Sequence, residues 1–319
     1  MIEYFIVEDE KLSRSNEILE SDCWINVTRP TIDDCAWLVN ELGVHSEYVN
    51  AATDDEERSH VDDDPREGQT LIIVDYPMRE SAAETLDESM PQYDTHPLSI
   101  LLLPRKGVFV TISLYDNPLI DALVKSYTRG NAELRQQRLL LDILYDVSQK
   151  YLYCLRDIDR QFKRNERELR EYMRNAELIK MLGLERSLIY FSTSLKALQA
   201  VLIKLDNGKI IKFTGNDRDD IDDIKIEVSQ ATEMCDIATK LLNGSMDAFG
   251  SVISNNMNIT MRRLTTITLT LSVPTMVFSF YGMNVGMLPF AESFLFPILL
   301  SVTCCIIVAV LFTQSKLFK

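Results

Sequence analysis

The C-terminal part of the chain is almost free of charge over about fifty residues. Between Leu264 and Ser315 there is a single charged residue, Glu292, and two apolar segments, 264–281 and 294–313, flank a short loop. Each segment has about 18 to 20 residues, which at 1.5 Å per residue is enough to cross a hydrocarbon core of about 30 Å. A buried amphipathic hairpin would instead carry charges on one face. The sequence therefore predicts a two-helix transmembrane hairpin.

The basic residues at the ends of the hairpin predict its orientation. Arg262 and Arg263 precede the first segment, Lys316 and Lys319 follow the second in a short tail, and the loop 282–293 has neither Lys nor Arg. Positively charged residues close to a span stay on the cytoplasmic side. Both ends of this multi-pass chain are therefore expected in the cytoplasm, and the loop is expected outside.

Composition indicates a large soluble part beside the hairpin. The chain has 319 residues and a formal net charge of −15, so binding to nucleic acid, which requires a basic face, is not expected. Six scattered cysteines without a C-x-x-C pair and three histidines argue against a zinc site, and we find no motif of an enzyme. The N-terminus has no signal-peptide pattern, which points to the plasma (inner) membrane of a prokaryote.

Residues 1–130 alternate strand-like and helix-like patterns, which predicts an α/β domain in the cytosol. A helix is predicted from Ile32 to Leu42, with Thr31 as its N-cap and Asp34 three residues later. Strands are predicted at 24–27, 71–74, 98–103 and 108–113, with a four-residue turn between the last two.

Two acidic runs interrupt this domain. One contains Asp54 to Glu57 and Asp62 to Asp64, and the other covers 80–88. Acidic runs usually keep a surface soluble, so both are interpreted as solvated loops. Weak binding of divalent cations is the alternative.

Residues 131–215 are expected to form a helical hairpin in the cytosol. The stretch 132–182 has neither Gly nor Pro and repeats apolar residues at helical spacing, which predicts one long helix or two joined near Asn175. A second helical run is expected at 184–205, before the turn signal at 206–208.

A last helix is predicted to start near Asp219 and to continue into the first span. Residues 216–263 would form a stalk, and the unbroken helix would have about 60 residues and a length of about 90 Å. A monomeric domain has no need of such a rod. A bundle of identical rods around one axis does.

Small or polar residues recur along this helix at alternating spacings of four and three, and we call them the polar stripe. They are Asp247, Ser251, Ser254, Asn258, Met261, Thr265, Thr268, Ser272, Thr275 and Ser279. Such a 3.5-residue repeat stays on one side when helices supercoil left-handedly about a common axis. Because the polar stripe is rich in hydroxyls, we interpret it as the lining of a wet pore. Packing of membrane helices through Ser and Thr is the alternative, and Thr260, Thr266 and Thr270 lie off the stripe.

The first span ends in Tyr281-Gly282-Met283-Asn284. With the hairpin, the long helix and the N-terminal α/β domain, this resembles the CorA-type magnesium transporter family, whose signature is Gly-Met-Asn after the first membrane helix. Trp24-Ile25-Asn26-Val27 and the segment 254–261 are similar to the family too, so the likeness covers nearly the whole chain. The resemblance implies a funnel-shaped homopentamer with the first span of each subunit around one central pore. The tail, with only two lysines, and Ser272, where several members have a bulky apolar residue, depart from the family pattern.

The resemblance places a selectivity filter at Gly282, Met283 and Asn284. Mg²⁺ is small and gives up its water reluctantly, so a ring of Asn284 side-chain carbonyls could hydrogen-bond the hydrated ion. Glu292 in the outer loop would add a ring of negative charge that raises the local concentration of cations.

Further roles are expected on the cytosolic side of the filter. Asp247 and Asn258 offer polar contacts to an ion, while Met261 and Leu264 make an apolar constriction that blocks ions when dry. By resemblance, Asp223 falls where the family places a carboxylate that binds a regulatory Mg²⁺ between adjacent subunits.

The expected function is the passive and selective passage of Mg²⁺, with Co²⁺ or Ni²⁺ as further ions. Mg²⁺ would be both the transported and the regulatory ion, and the other partners would be the lipid bilayer and further copies of the chain. One alternative is a Zn²⁺ transporter of the same fold. Another is a membrane-anchored sensor or scaffold that conducts nothing, although an anchor has no need of hydroxyls along a membrane helix.

Overall fold

The computed structural model describes residues 1–8, 11–15, 23–80, 92–130, 135–172, 175–283, 290 and 293–314. The chain forms two units, Met1–Ser245 and Met246–Lys319. The first unit combines a β-sheet with long helices, and the second contains the end of the longest helix and the last helix of the chain. The predicted fold class, an α/β domain followed by long helices and two apolar helices, is confirmed.

The sheet of the first unit has seven described strands. They are β1 (Ile2–Glu8), β2 (Lys11–Ser15), β3 (Cys23–Thr28), β4 (His60–Asp64), β5 (Gln69–Arg79), β6 (Tyr93–Leu103) and β7 (Val108–Ser113). Their order is β2-β1-β3-β7-β6-β5-β4, and among these strands only β3 and β7 pair in parallel. The chain between β3 and β7 therefore builds one edge of the sheet before it returns to the centre.

Helices account for most of the remaining described chain. They are α1 (Ile32–Asn40), α2 (Ser46–Ala52), α3 (Pro118–Arg129), α4 (Gln136–Tyr172), α5 (Asn175–Asp206), α6 (Asn216–Tyr281) and α7 (Leu295–Gln314). Leu38 of α1 and Val49 of α2 pack in one buried cluster with residues of the central strands, such as Val110. All six residues of β7 are buried, and four of them, Val108, Phe109, Val110 and Ile112, are apolar.

Local signals in the sequence are confirmed where they are strong. The hydroxyl of Thr31 accepts a hydrogen bond from the Asp34 amide at 3.2 Å, and the Asp34 carboxylate accepts one from the Thr31 amide at 2.9 Å. This capping box starts α1, which ends at Asn40, two residues before the predicted end. The predicted hairpin is also present, since β6 pairs with β7 and Gly107 closes the turn with a φ of 65°.

The prediction of a loop at Asp62 to Asp64 is wrong. These residues end strand β4, which pairs with β5 at the edge of the sheet, and Asp63 accepts a hydrogen bond from the Thr70 hydroxyl at 2.6 Å. Edge strands often carry charges, and the charges hide the strand pattern. Within the described ranges, no group of three or more His, Cys, Asp or Glu side chains could hold a metal ion. Most of the second acidic run, 81–88, lies outside the described residues.

The prediction of separate helical runs at 132–182 and 184–205 is wrong at position 183, because α5 runs through Gly183, whereas the alternative of two helices joined near Asn175 agrees with α4 ending at Tyr172 and α5 beginning at Asn175. The side chain of Gln92, which is 1 % exposed, lies directly against the Gly183 backbone. A Cβ atom at position 183 would be 2.7 Å from Cδ of Gln92. The glycine therefore permits a close approach between α5 and the start of β6 and does not end the helix.

Two described helices, α5 and α6, are long and apolar enough to cross a membrane, and Leu295–Val310 of α7 is a shorter apolar helix. In α5, 44 % of the most apolar window is buried inside the structure, whereas in α6 none of it is. Leu188, Phe191 and Leu195 show that α5 is a core helix of the first unit. The apolar residues of α6 and α7, such as Leu271 and Ile306, are exposed in the single chain.

We predict that Gly183→Ala lowers the stability of the protein by about 1–3 kcal/mol, because the added methyl group overpacks the contact with Gln92. The midpoint of thermal unfolding in detergent measures the effect. Leu182→Ala, at a half-exposed neighbouring position, is the control and should change the midpoint little. The double variant Gly183→Ala/Gln92→Ala should lose less than the sum of the two single changes. Equal midpoints for Gly183→Ala and wild type would contradict the packing role.

Candidate functional site

The residues of the polar stripe in the second unit lie on one exposed face of α6. Eight of the ten residues line two concave surfaces. One is lined by Asp247, Ser251, Ser254 and Asn258 together with Met246, Gly250 and Asn255, and the other by Thr268, Ser272, Thr275 and Ser279 together with Leu271, Met276, Phe280 and Met283. Met261 and Thr265 lie between them, and every member of the stripe is exposed in the single chain. The residues at alternating spacings of four and three therefore lie together along one side of the helix surface.

Hydroxyl groups along α6 donate to the helix itself. Within the stripe, Thr268 donates to the Leu264 carbonyl at 2.9 Å and Ser272 to the Thr268 carbonyl at 2.8 Å. Off the stripe, Thr266 donates to the Arg262 carbonyl at 2.9 Å in the same way. This bonding satisfies the hydroxyl even in lipid. It therefore does not show whether the stripe lines a pore or packs against other membrane helices. A hydroxyl whose proton is used in this way presents only acceptor lone pairs to its surroundings.

Pro274 lies inside α6 and does not end the helix. Because proline has no N–H, the carbonyl of Thr270, four residues earlier, lacks its usual helical donor. The thiol of Cys305 on α7 donates to this carbonyl at 3.6 Å. The contact links the two apolar helices at the proline, and sequence reasoning missed it because nothing in the sequence pairs positions 270 and 305.

The C-terminal end of α6 is formed by Tyr281, which Gly282 follows. The Gly282 amide donates to the Phe278 carbonyl at 2.9 Å, and a Cβ atom at this glycine would be 3.1 Å from that carbonyl. The ring of Tyr281 contacts that of Phe296 on α7 at a centroid distance of 6.0 Å. Met283 lines the concave surface that contains Thr268 and Ser279.

Several predicted site residues cannot be located. Asn284 and Glu292 lie outside the described residues, as do Lys316 and Lys319. Arg262 and Arg263 are exposed immediately before the predicted first span, and Leu264 is 57 % exposed. The roles of all these residues stay predictions.

Ion pairs explain part of the acidic density at the start of α6, where five aspartates lie between positions 217 and 223. Asp217 pairs with Arg135 at 3.4 Å, Asp220 with Arg138 at 2.5 Å and Asp222 with Lys225 at 3.0 Å. The remaining two, Asp219 and Asp223, are exposed and have no ion-pair partner in the described part of the chain. Repulsion among the acids is therefore smaller than the sequence suggests.

A second set of ion pairs connects the end of α5 to α6. Asp206 pairs with Arg218 at 2.6 Å and with Lys225 at 2.8 Å. The hydrogen bond from Lys225 lowers the pKa of Asp206, and the same bond raises the pKa of Lys225. Ile221, Ile224 and Val228 are buried on α6, so ionic and apolar contacts together fix the start of this helix.

Comparison with known proteins agrees with this arrangement. The family model described as CorA-like Mg²⁺ transporter protein matches residues 20–314. The chain belongs to the CorA-like Mg²⁺ transporter family. The resemblance inferred from Gly-Met-Asn is confirmed, and the family is one of membrane transporters, with which the long apolar part of α6 agrees.

Several solved structures share the fold. The cobalt/magnesium transport protein CorA of Methanocaldococcus jannaschii is 25 % identical over 274 residues, 85 % of this chain and 82 % of the relative. The complete structure of that CorA covers 99 % of this chain and 98 % of its own, with a TM-score of 0.80 and 24 % identity. Full-length CmaX covers 98 % of this chain and 97 % of its own, with a TM-score of 0.74 and 16 % identity. The ZntB cytoplasmic domain of Vibrio parahaemolyticus covers 80 % and 97 %, with a TM-score of 0.60 and 14 % identity.

Proposed function

We propose that this CorA-family chain is an ion-selective channel that moves Mg²⁺ across the plasma membrane, with Co²⁺ or Ni²⁺ as further ions. The observation that carries the proposal is the exposed polar stripe on α6. The hydroxyls on this face keep free lone pairs after bonding to their own helix, and five copies of α6 around one axis would turn these acceptors towards enclosed water. The relative named for cobalt and magnesium transport supports the choice of ion.

Hydroxyls that present acceptor lone pairs suit a hydrated cation. The six waters around Mg²⁺ point their hydrogens outward, and the lining then needs acceptors in place of donors. Thr268, Ser272 and Thr275 each donate to a helix carbonyl, which leaves their lone pairs for these waters. The ion can therefore pass along the stripe without losing its water.

We assign the selection of ions to the outer end of the membrane segment and the closure of the pore to its inner end. At the outer mouth, Gly282, Met283 and Asn284 form the filter, and a ring of Asn284 side chains binds the hydrated ion while Glu292 attracts cations. At the inner end, Met261 and Leu264 form an apolar constriction that closes by dewetting. Both Met261 and Leu264 are more than half exposed on the single chain, as contacts between subunits require.

Regulation is assigned to the start of α6. Asp223 is exposed and carries no ion pair within the described chain, so its charge is available to a cation between adjacent subunits. Mg²⁺ bound there would hold the closed state, and its loss at low cytosolic Mg²⁺ would let the subunits separate and the pore hydrate. The transported ion is then its own negative regulator.

Two other functions give different experimental outcomes. A Zn²⁺ transporter of the same fold would carry Zn²⁺ in proteoliposomes and would leave magnesium-dependent growth unchanged. A membrane-anchored scaffold would carry neither ion. The polar stripe favours a conducting protein over a scaffold.

The first prediction is that the polar stripe is accessible to water. In a background without Cys304 and Cys305, single cysteines at Thr268, Ser272, Thr275 or Ser279 should react with a small charged thiol reagent once the channel is opened. Cysteines at Leu269 or Val273, which do not line the concave surface, should not react. Equal labelling at both sets of positions would favour packing over a pore.

The second prediction concerns the filter. Asn284→Ala should abolish Mg²⁺ uptake in a bacterium that lacks its own uptake systems, because the ring of side-chain carbonyls is removed, while the oligomer keeps its size in detergent. Asn50→Ala makes the same chemical change at an exposed position of helix α2 and should leave uptake intact. Normal uptake by Asn284→Ala would overturn the filter role.

The third prediction concerns regulation. Asp223→Asn should relieve the inhibition of current by millimolar Mg²⁺ on the cytosolic side, because one ligand of the regulatory ion is lost. Asp236→Asn is a control on the same helix, about 20 Å further along at 1.5 Å per residue, which is beyond the screening length of about 8–10 Å. If Asp223→Asn is inhibited like wild type, Asp223 is only a charge near a helix end.

A further inference from the structure

Helix α6 has a carbonyl group whose usual hydrogen-bond donor is missing, and α7 supplies a substitute. Pro274 has no N–H, so the Thr270 carbonyl cannot accept the hydrogen bond that an α-helix normally gives it from position 274. The Cys305 thiol on α7 donates to this carbonyl at 3.6 Å. Because a backbone carbonyl without a donor is unfavourable in hydrocarbon, the contact has a physical reason to persist in a membrane.

The thiol differs from nearby hydroxyls in the helix to which it donates. Thr303, two residues before Cys305, donates to the Leu299 carbonyl of its own helix at 2.7 Å. The Thr270 hydroxyl likewise donates to the Thr266 carbonyl within α6 at 2.8 Å. Cys305 instead donates to the other helix, so this hydrogen bond couples α7 to the turn of α6 that contains the proline.

The contact lies on the side of α6 that faces away from the polar stripe. Ser272 is two residues from both Thr270 and Pro274, which places it about 160° away from each around a helix of 3.6 residues per turn. Thr270 and Pro274 are half-buried in the single chain, whereas Ser272 is exposed. On α7, Ser301 is buried one turn before Cys305. Cys305 therefore contacts α6 from behind the stripe.

The position of Pro274 gives this contact an influence on the polar stripe. Thr268 and Ser272 lie before the proline, and Thr275 and Ser279 lie after it. Proline removes one helical hydrogen bond and crowds the carbonyl four residues earlier, so a helix bends most easily at this point. A bend of variable angle would move the second pair of residues relative to the first. A donor that holds the carbonyl on the proline side restricts that angle.

We propose that Cys305 is a positioning residue of the pore. Its thiol replaces the N–H that Pro274 lacks and holds the part of α6 after the proline in a fixed direction relative to the part before it. This inference rests on the proposed function, in which the polar stripe conducts a hydrated cation. Cys305 acts through the geometry of α6 and not through contact with the ion.

The test measures the initial rate of Mg²⁺ uptake by the full-length protein in proteoliposomes, with Cys305→Ala in two backgrounds. In the wild-type background, Cys305→Ala should lower the rate about threefold, since one hydrogen bond between membrane helices typically shifts an equilibrium by about that factor. Cys304→Ala removes the neighbouring thiol, which is also half-buried, and should leave the rate unchanged. In the Pro274→Ala background, the N–H of residue 274 supplies the missing donor, and Cys305→Ala should cause no further loss.

Dependence on the background separates positioning from packing. A packing defect at position 305 would lower uptake equally in both backgrounds, and that result would overturn the inference. Uptake by Cys305→Ala at the wild-type rate would overturn it too. If Cys305→Ala does not assemble, Cys305→Val, which fills the space without a donor, takes its place in the same comparison.

A second readout does not depend on transport. Cys305→Ala should lower the midpoint of thermal unfolding in detergent where Pro274 is present and leave it unchanged in the Pro274→Ala background. Equal shifts in both backgrounds would contradict the hydrogen bond. If the wild-type protein carries no Mg²⁺, the proposed function fails, and the positioning role fails with it even where the midpoints confirm the contact. If the wild type carries Mg²⁺ and Cys305→Ala matches it, only the role of Cys305 is lost.

Discussion

A row of polar groups on a membrane helix is stable only if neither the backbone nor the side chains are left unsatisfied in hydrocarbon. Helix α6 meets this requirement along its whole apolar part. Its hydroxyls donate to carbonyls one turn back, and Cys305 donates to the Thr270 carbonyl that Pro274 leaves without a donor. The helix therefore continues through Pro274 to Tyr281. What remains exposed is a surface of acceptors, and water is the natural partner of such a surface.

The same helix carries two kinds of chemistry at its two ends. At its start, aspartates meet arginines and a lysine from α4 and α6 itself, and only Asp219 and Asp223 remain without ionic partners in the described chain. Near its end, charges are absent and hydroxyls dominate. In the proposed function, a cation is attracted to the first region by uncompensated carboxylates and passes the second with its own water shell. The proposed sensing and conducting regions therefore lie on the same helix.

Both errors made from the sequence came from residues whose meaning depends on distant neighbours. Asp62 to Asp64 look like a solvated loop. They nevertheless belong to β4, which pairs with β5 at the edge of the sheet, where charged side chains can point into solvent. Gly183 looks like a helix end, yet it makes room for Gln92, ninety-one residues earlier in the chain. Likewise, the five acids at the start of α6 look mutually repulsive until Arg135 and Arg138 are placed beside them. No local pattern contains that information.

The sequence by itself determined the features that depend on local spacing. These are the uncharged length of the last two helices, the capping box at Thr31, the hairpin around Gly107, and the repeat of the polar stripe, because helix geometry alone puts residues three and four apart on one face. Gly-Met-Asn at the end of the first span was enough to indicate the family. Only the tertiary structure decided which carboxylates are compensated, why Gly183 is needed, and how Cys305 meets Thr270. Contacts between residues far apart in the chain set these features, and spacing cannot specify them.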